Sequence, residues 1–486
     1  MVQKRARKKA SAAKASAPRA RRCQTSAFDP CGASRKCGAC QHIGEPYEAQ
    51  LARKLAYVQG LYSEAGIALK MADEMALAGS ASAPKSASPA PARLFPVKGM
   101  ADPRFYRNKV ISPFARGRRL ADGKRGARYE IKCGMYEAHS HRVIDTEGCL
   151  IENQQAKQVI REIKRLMGKF GIEPYDEDSG DGFVRHAVVR VGHESGEMLV
   201  TIVTNGEAFP ASRSFCRELV RRCPFVTSVV QNVNTRQTNV ILGETEHRLY
   251  GPGFILDKLC GLSFRISSRS FYQVNSTQTE VLYDAAIGLS GLDGAQDVID
   301  AYCGTGTIGL VAASRGARSV VGVDSVESAI RDARENARHN GIENARFVVD
   351  DAGAFMRGLA AELDGGGLAG GSDEGAFAMR PAKNVAVERD VDQTDAPKPA
   401  SDRVSRGSLV VFMDPPRAGS TEEFLDALVE LSPERVVYVS CNAKTQVRDI
   451  VYLLQRGYCV RAVVPVDMFP HTDHIEVVTL LERWKR

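Results

Sequence analysis

No apolar run in this 486-residue chain approaches the roughly 18 to 20 residues that a membrane-crossing helix needs. The opening stretch "MVQKRARKKASAAKASAPRARR" also lacks the apolar core of a secretory signal. With 43% hydrophobic and 26% charged residues, the composition is that of a globular protein, and a soluble, cytoplasmic location without a membrane partner is expected. Acid is missing from the opening as well. Residues 1–22 hold nine lysines and arginines and no aspartate or glutamate, which outweighs the whole net charge of +8. As a basic disordered arm, this stretch suits a polyanion such as nucleic acid, through phosphate contact and counterion release. A solubility tail would look the same.

Also absent is any paired C-x-x-C…C-x-x-C arrangement among the twelve cysteines, and a chain of this length has no need of disulfide staples. What stands instead is Cys31, Cys37 and Cys40, crowded into "DPCGASRKCGACQ". Zinc would accept three cysteines and a fourth ligand, and His42 lies two residues beyond Cys40. An iron–sulfur cluster would want four thiolates, the fourth free to come from afar. Cys23, Cys133 and Cys149 in "DTEGCLI" are the nearest further thiols that could supply that fourth.

Along the chain, apolar spacing near 3.6 predicts a helix from about Tyr47 to Ala78, and "GSASAPKSASPAPARLFP" reads as a linker. Alternation predicts strands between Tyr106 and Ile144, then a helix over 155–170. Four strand candidates follow, "VRHAVVRVG", "EMLVTIVTN", "VTSVVQNVN" and "NVILGE", around a helix near Arg213 to Cys223. From about Ser276 helices alternate with short apolar strands, the pattern of a doubly wound parallel sheet. The expected organisation is an arm over 1–22, a cysteine segment with strands over 23–150, a central α+β unit over 151–262, and an α/β unit over 263–486. A disordered insert at 361–407, rich in Gly, Asp and Pro, interrupts the last of these.

"DVIDAYCGTGTIGL" is an apolar strand running into a glycine turn and a helix, with Asp324 twenty residues after Gly304. Gly304, Gly306 and Gly309 satisfy G-x-G-x-x-G, so a dinucleotide-binding oxidoreductase competes with a nucleoside-binding transferase. The downstream series has no stated use in a dehydrogenase: "MDPPRAG" ends one strand, "VSCN" the next, and "HTDHIE" precedes the last. Asp-Pro-Pro stiffens a loop beside a planar base. Cys441 lies where open α/β sheets put their chemistry, beyond the carboxyl end of a strand, and Glu476 is an acid just ahead of a terminal strand.

The ordered series "FYQVN", "DAYCGTGTIGL", "DPPRAG", "SCN" and "FPHTDHIE" resembles the RNA uracil-5-methyltransferases, which methylate uridine in tRNA or 23S ribosomal RNA. The resemblance spans roughly residues 28–360 and 408–486. It implies a Rossmann-like, S-adenosylmethionine-dependent methyltransferase unit with Cys441 as nucleophile and Glu476 as base. Gln273, Tyr302, Thr307, Asp324, Asp351 and Asp414 would contact S-adenosylmethionine or shape the pocket between it and uracil. Asp324 stands where the family usually has Glu, and Asp351 where it has Asn or Asp. The chemistry fits these residue types: C5 of uracil is a poor nucleophile, and a thiolate adding to C6 makes it an enolate carbon. A base must then take the C5 proton. By the same resemblance Cys31, Cys37, Cys40 and Cys149 would hold a [4Fe-4S] cluster. Such a cluster points to 23S rRNA as the target, with tRNA as the alternative, and the enzyme is expected to be a monomer. Only the 22-residue arm precedes the cysteines, so the N-terminal β-barrel that cluster-bearing members sometimes carry is expected to be absent.

Overall fold

The computed structural model describes residues 30–73, 90–120, 129–365 and 406–484. The basic arm, Cys23 and most of the expected insert lie outside the described residues. The chain opens with α1 (Ser34–Cys37) and α2 (Tyr47–Glu64), then β1 (Leu69–Met71) and β2 (Ala92–Leu94). The helix expected to reach Ala78 stops fourteen residues earlier. Gly66, at φ 75°, makes the left-handed turn, with Gly66 N–H donating to the Ser63 carbonyl and Ile67 N–H to that of Tyr62. This is a Schellman stop, after which the chain is extended in β1, and residues 74–78 of the expected helix lie outside the described residues.

The central part contains β3 (Lys109–Arg119), β4 (Tyr129–Cys133), β5 (Met135–Tyr136), β6 (Val143–Ile144), α3 (Gln154–Phe170), β7 (Val184–Val191), β8 (Met198–Thr204), α4 (Ser212–Arg222), β9 (Val226–Val233), β10 (Thr245–Tyr250), β11 (Phe254–Leu259) and β12 (Leu262–Ser267). Its main sheet runs β10-β9-β8-β7-β3-β4, so strands before residue 151 belong to it. Ile163, Leu166 and Met167 of α3 pack against Ala187, Val200 and Ile202 of the sheet. "NVILGE" is not a strand. The Asn234 amide donates to the carbonyls of Val240 (2.7 Å) and Ile241 (3.0 Å) and holds that stretch as a loop, and pairing resumes at Thr245.

The C-terminal part then alternates as expected: α5 (Ser276–Ser290), β13 (Asp297–Ala301), α6 (Thr307–Ser314), β14 (Ser319–Asp324), α7 (Glu327–His339), β15 (Ala345–Val349), α8 (Ala352–Gly365), β16 (Leu409–Met413), α9 (Glu422–Leu431), β17 (Arg435–Ser440), α10 (Ala443–Leu454), β18 (Tyr458–Val466) and β19 (Glu476–Arg483). Among the described residues the sheet order is β1-β2-β18-β19-β17-β16-β13-β14-β15. Successive residues point to opposite faces. Val410, Phe412, Val437 and Val439 therefore join the core under α5, α6 and α7, while Val411, Met413, Val436 and Tyr438 join the core under α8, α9 and α10. Both faces are covered, as near-continuous apolar strands demand.

β19 is the exception to the parallel order, pairing antiparallel with both β17 and β18. β14 is thinned at Gly322, which sits opposite Phe347, and a side-chain carbon there would meet the Phe347 ring and the Cys303 sulfur. Overpacking of this kind costs about 1–3 kcal/mol. Gly322→Ala is expected to lower unfolding stability by that amount, read as a lower urea midpoint at unchanged m-value.

Candidate active site

The site is built by strand register. Ala301 is level with Met413 and with Val323, and Met413 with Tyr438, so Tyr302, Asp414 and Asp324 emerge side by side at the carboxyl edge of the sheet. On the reversed neighbour, Ser440 is level with Val477, which sets Cys441, one residue past the end of β17, against Glu476, the first residue of β19. The thiol and the carboxylate, thirty-five positions apart in sequence, thus meet because one strand runs the other way.

Electrostatics confirm that they are neighbours. Burial, then the charges of Glu476 and Asp414, push the Cys441 thiol up to about 11, and the Arg417 guanidinium opposes this. Glu476 is 3% exposed, and burial first, then Asp414, raise its carboxyl well above the usual range. Asp414 is itself pushed up to about 7 by burial. Arg417 also donates to His474 Nδ1 at 3.1 Å, and its carbonyl accepts from the Asn442 amide at 3.0 Å, so the proline loop is tied to the cysteine loop.

The glycine turn lies beside this group. Tyr302 (φ 63°), Gly304 (φ 54°) and Gly306 (φ 78°) carry the chain through left-handed conformations, and the space a Gly304 side chain would fill is open. Gly304 N–H donates to Asp324 at 2.9 Å and Val326 N–H to its other oxygen at 2.8 Å, which orients a half-buried carboxylate along the edge of that space. A carboxylate beside an open glycine turn matches a ribose in donor chemistry. Thr307 opens α6 and shares a hydrogen bond with Tyr283 at 2.8 Å. The Tyr302 ring stacks on Phe424 at 4.9 Å.

Two expected residues stand apart from this pattern. Asp351 is exposed, and its carboxylate accepts from Ala354 N–H at 2.9 Å, so it is engaged at the start of α8. Gln273 is held through its main chain, its carbonyl accepting from the Asn108 amide at 2.9 Å, while Asn108 also donates to Ser276. The segment Tyr106–Lys109 therefore shapes this corner.

Asp300 was not anticipated. It is 1% exposed, accepts from Gly309 N–H at 2.8 Å, and is pushed up to about 7 by burial first and then by Asp414 and Asp324. An acid within the apolar strand "DVIDA" was the available signal.

The cysteine segment folds against the strands near residue 149. Ala138 N–H donates to the Lys36 carbonyl at 3.0 Å, and a side-chain carbon on Gly148 would lie 3.4 Å from the Cys31 carbonyl oxygen. Burial, then the charges of Cys149, Cys37 and Cys31 in that order, push the Cys40 thiol up to about 12, so the four thiols share one neighbourhood. Among the described residues no group of three or more His, Cys, Asp or Glu side chains is arranged to hold a metal ion, so the expected cluster set is not formed as a ligand cage.

Residues 406–484 match the family described as tRNA (Uracil-5-)-methyltransferase, and residues 292–362 match a general methyltransferase domain. An RNA methyltransferase of Halalkalibacterium halodurans is 37% identical over 453 residues, covering 93% of this chain and 83% of that protein. One from Listeria monocytogenes serotype 4b is 36% identical over 454 residues, with 93% and 83% covered. Among solved structures, the tRNA (uracil-54, C5)-methyltransferase of Pyrococcus abyssi, in complex with S-adenosyl-L-homocysteine, superposes with a TM-score of 0.61 at 23% identity, covering 91% of this chain and 85% of that one. That likeness is one of fold. The competing oxidoreductase reading is set aside by these matches, and the chain belongs to the RNA uracil-5-methyltransferase family.

Proposed function

We propose that this protein transfers a methyl group from S-adenosylmethionine to C5 of a uridine in RNA, through a covalent bond between Cys441 and C6 of the base. The observation that carries the reading is the opposition of Cys441 and Glu476 across the β17–β19 register, with Asp414 beside both. The target uridine must leave its stack to reach this edge, and Arg417 on the proline loop, the central unit and the basic arm are available to hold the backbone.

In the proposed sequence the Cys441 thiol loses its proton and its sulfur adds to C6, and the C5=C6 electron pair moves onto the C4 carbonyl as an enolate. When bound, S-adenosylmethionine supplies the methyl group that C5 takes up. The Glu476 carboxylate then removes the remaining C5 proton, and the electrons left behind re-form C5=C6 and expel the Cys441 thiolate. Glu476 suits this role because burial and Asp414 raise its basicity. Asp324, Tyr302, Thr307, Gln273 and Asp414 are the residues we assign to holding the nucleoside and methionine parts, with Asp351 at the margin.

We further propose that Cys31, Cys37, Cys40 and Cys149 hold a [4Fe-4S] cluster. Support comes from the donor chemistry: Cys40 lies within electrostatic range of Cys31 and Cys37 in its own segment and of Cys149 in the part that segment folds against. The cluster would fasten that segment, and the transfer itself needs no redox centre. The cysteine set also favours 23S rRNA over tRNA. Methylation mapping of 23S rRNA and tRNA from a host stripped of its own uracil methyltransferases tests the choice, and new C5 methyls confined to tRNA would overturn it.

Cys441→Ala is expected to abolish both methylation and the denaturation-resistant RNA adduct, whereas Glu476→Gln should stall turnover and leave the adduct trapped. Methylation by the Cys441 variant would end this account. Because the Cys441 thiol lies near 11, its thiolate fraction in the free enzyme climbs as pH rises toward that value. The initial rate of adduct formation should therefore rise about tenfold per pH unit between about pH 6 and 8; a flat profile in a quench-flow series would contradict it. Anaerobic reconstitution with iron and sulfide should load about four irons per chain, and Cys149→Ser should lose most of them while keeping the fold.

A further inference from the structure

The loop between β18 and β19, residues 467–475, ends on Glu476, and its conformation is imposed from the other end of the chain. The residues of α2 buried against the body are Gln50, Lys54, Val58 and Tyr62, a stripe at every fourth position whose first half is polar. Tyr62 reaches into the middle of the sheet, its hydroxyl sharing a hydrogen bond with the Thr479 hydroxyl at 2.6 Å. Gln50 and Lys54, at 0% and 3% exposure, instead reach the loop.

Lys54 Nζ donates to Asp467 Oδ1 at 2.6 Å and to the Phe469 carbonyl at 3.2 Å, and the Tyr47 hydroxyl donates to Asp467 Oδ2 at 2.9 Å. Both oxygens of a wholly buried carboxylate at the foot of the loop are thus engaged by one helix. At the crest, His471 adopts φ 68°, a left-handed conformation more usual for glycine. Its N–H donates to Gln50 Oε1 at 3.0 Å, and its carbonyl accepts from His42 N–H at 3.0 Å. Its Nε2 faces the Pro103 carbonyl at 3.1 Å, so that nitrogen carries the proton, and Nδ1 accepts from the Gln50 amide at 3.2 Å. A strained residue persists when its surroundings over-determine it, and such residues gather where geometry serves function.

We infer that Gln50, Lys54 and Tyr47 are positioning residues for the base: by clamping Asp467 and His471 they fix the loop that aims Glu476 at the C5 proton. The inference rests on the roles proposed for Cys441 and Glu476. It bears on the two halves of the reaction unequally, because Glu476 follows the clamped loop directly, whereas Cys441 sits between β17 and α10 and meets that loop only through Arg417 and His474. Loosening the clamp should leave thiol addition intact and slow proton removal alone. A displacement of the order of 1 Å at a reacting group costs up to about 100-fold.

The test compares wild type, Glu476→Gln and Gln50→Leu, with an RNA transcript and labelled S-adenosylmethionine, following adduct formation and methyl-product release separately. In Gln50→Leu we expect adduct formation within about twofold of wild type, product release slowed about 10- to 100-fold, and adduct accumulating as in Glu476→Gln. Should Gln50→Leu fold poorly, Tyr47→Phe removes only one hydroxyl from Asp467 and should show the same split at smaller size. If adduct accumulates in Glu476→Gln but the α2 variants slow both steps in parallel, or neither, the positioning inference is overturned and the catalytic assignment stands. If Glu476→Gln itself accumulates no adduct, the assignment of the base fails and the inference fails with it.

Discussion

One reversed strand governs the chemistry of this protein. In a parallel sheet only the strands' carboxyl ends reach the edge where ligands bind, so every group offered there comes from a loop leaving a strand. β19 runs antiparallel between β17 and β18, so its amino end reaches that edge and Glu476 arrives opposite Cys441. Had β19 been parallel, its first residue would have stood at the far edge, a strand length away. The register then transmits the consequence laterally: Asp414 beside Tyr302 and Tyr302 beside Asp324, with Cys441 two residues past Val439, the position level with Asp414.

That arrangement is electrostatically costly. Asp300, Asp414 and Glu476 are carboxyls whose ionisation burial opposes, and the charge of Asp414 raises both Asp300 and Glu476 further. A carboxyl whose folded value lies above its unfolded one binds protons more tightly in the native state. Its contribution to stability is present at low pH and is lost as the pH rises toward the raised value. The fold therefore carries a liability near neutrality, and the two hydrophobic layers on either side of the sheet must offset it. Groups held this way are suited to accepting a proton in a dry site, and a positively charged ligand would relieve their mutual repulsion.

The seven strands of the C-terminal sheet from β13 onward were legible because each is a short, mostly apolar stretch bounded by turn signals, and the glycine turn declared its own backbone demands. β1 and β2 were not legible. Three residues carry too little alternation to distinguish from a linker, and these two exist only because β18 offers an edge, Ala462 and Val463 lying level with Arg93 and Leu94. Of the site residues announced by motif, Tyr302, Asp324, Asp414, Cys441 and Glu476 lie along one edge of the sheet, but Gln50 and Lys54 were invisible, since polar residues on a helix ordinarily face water. What makes them inward-facing is a loop more than 400 positions away, with Lys54 and Asp467 separated by 413 and Gln50 and His471 by 421, and no local pattern encodes it.

The same topology explains where the chain tolerates its long acidic interruption. β15 ends at the active edge, α8 carries the chain back across the sheet, and β16 starts again from the opposite edge. Residues 366–405 fall between Gly365, the end of α8, and Arg406, just ahead of β16, which starts at the edge opposite Cys441 and Glu476. A similar insertion between β16 and α9, or between β18 and β19, would have separated the proline loop from the cysteine loop or released the strand that delivers the base.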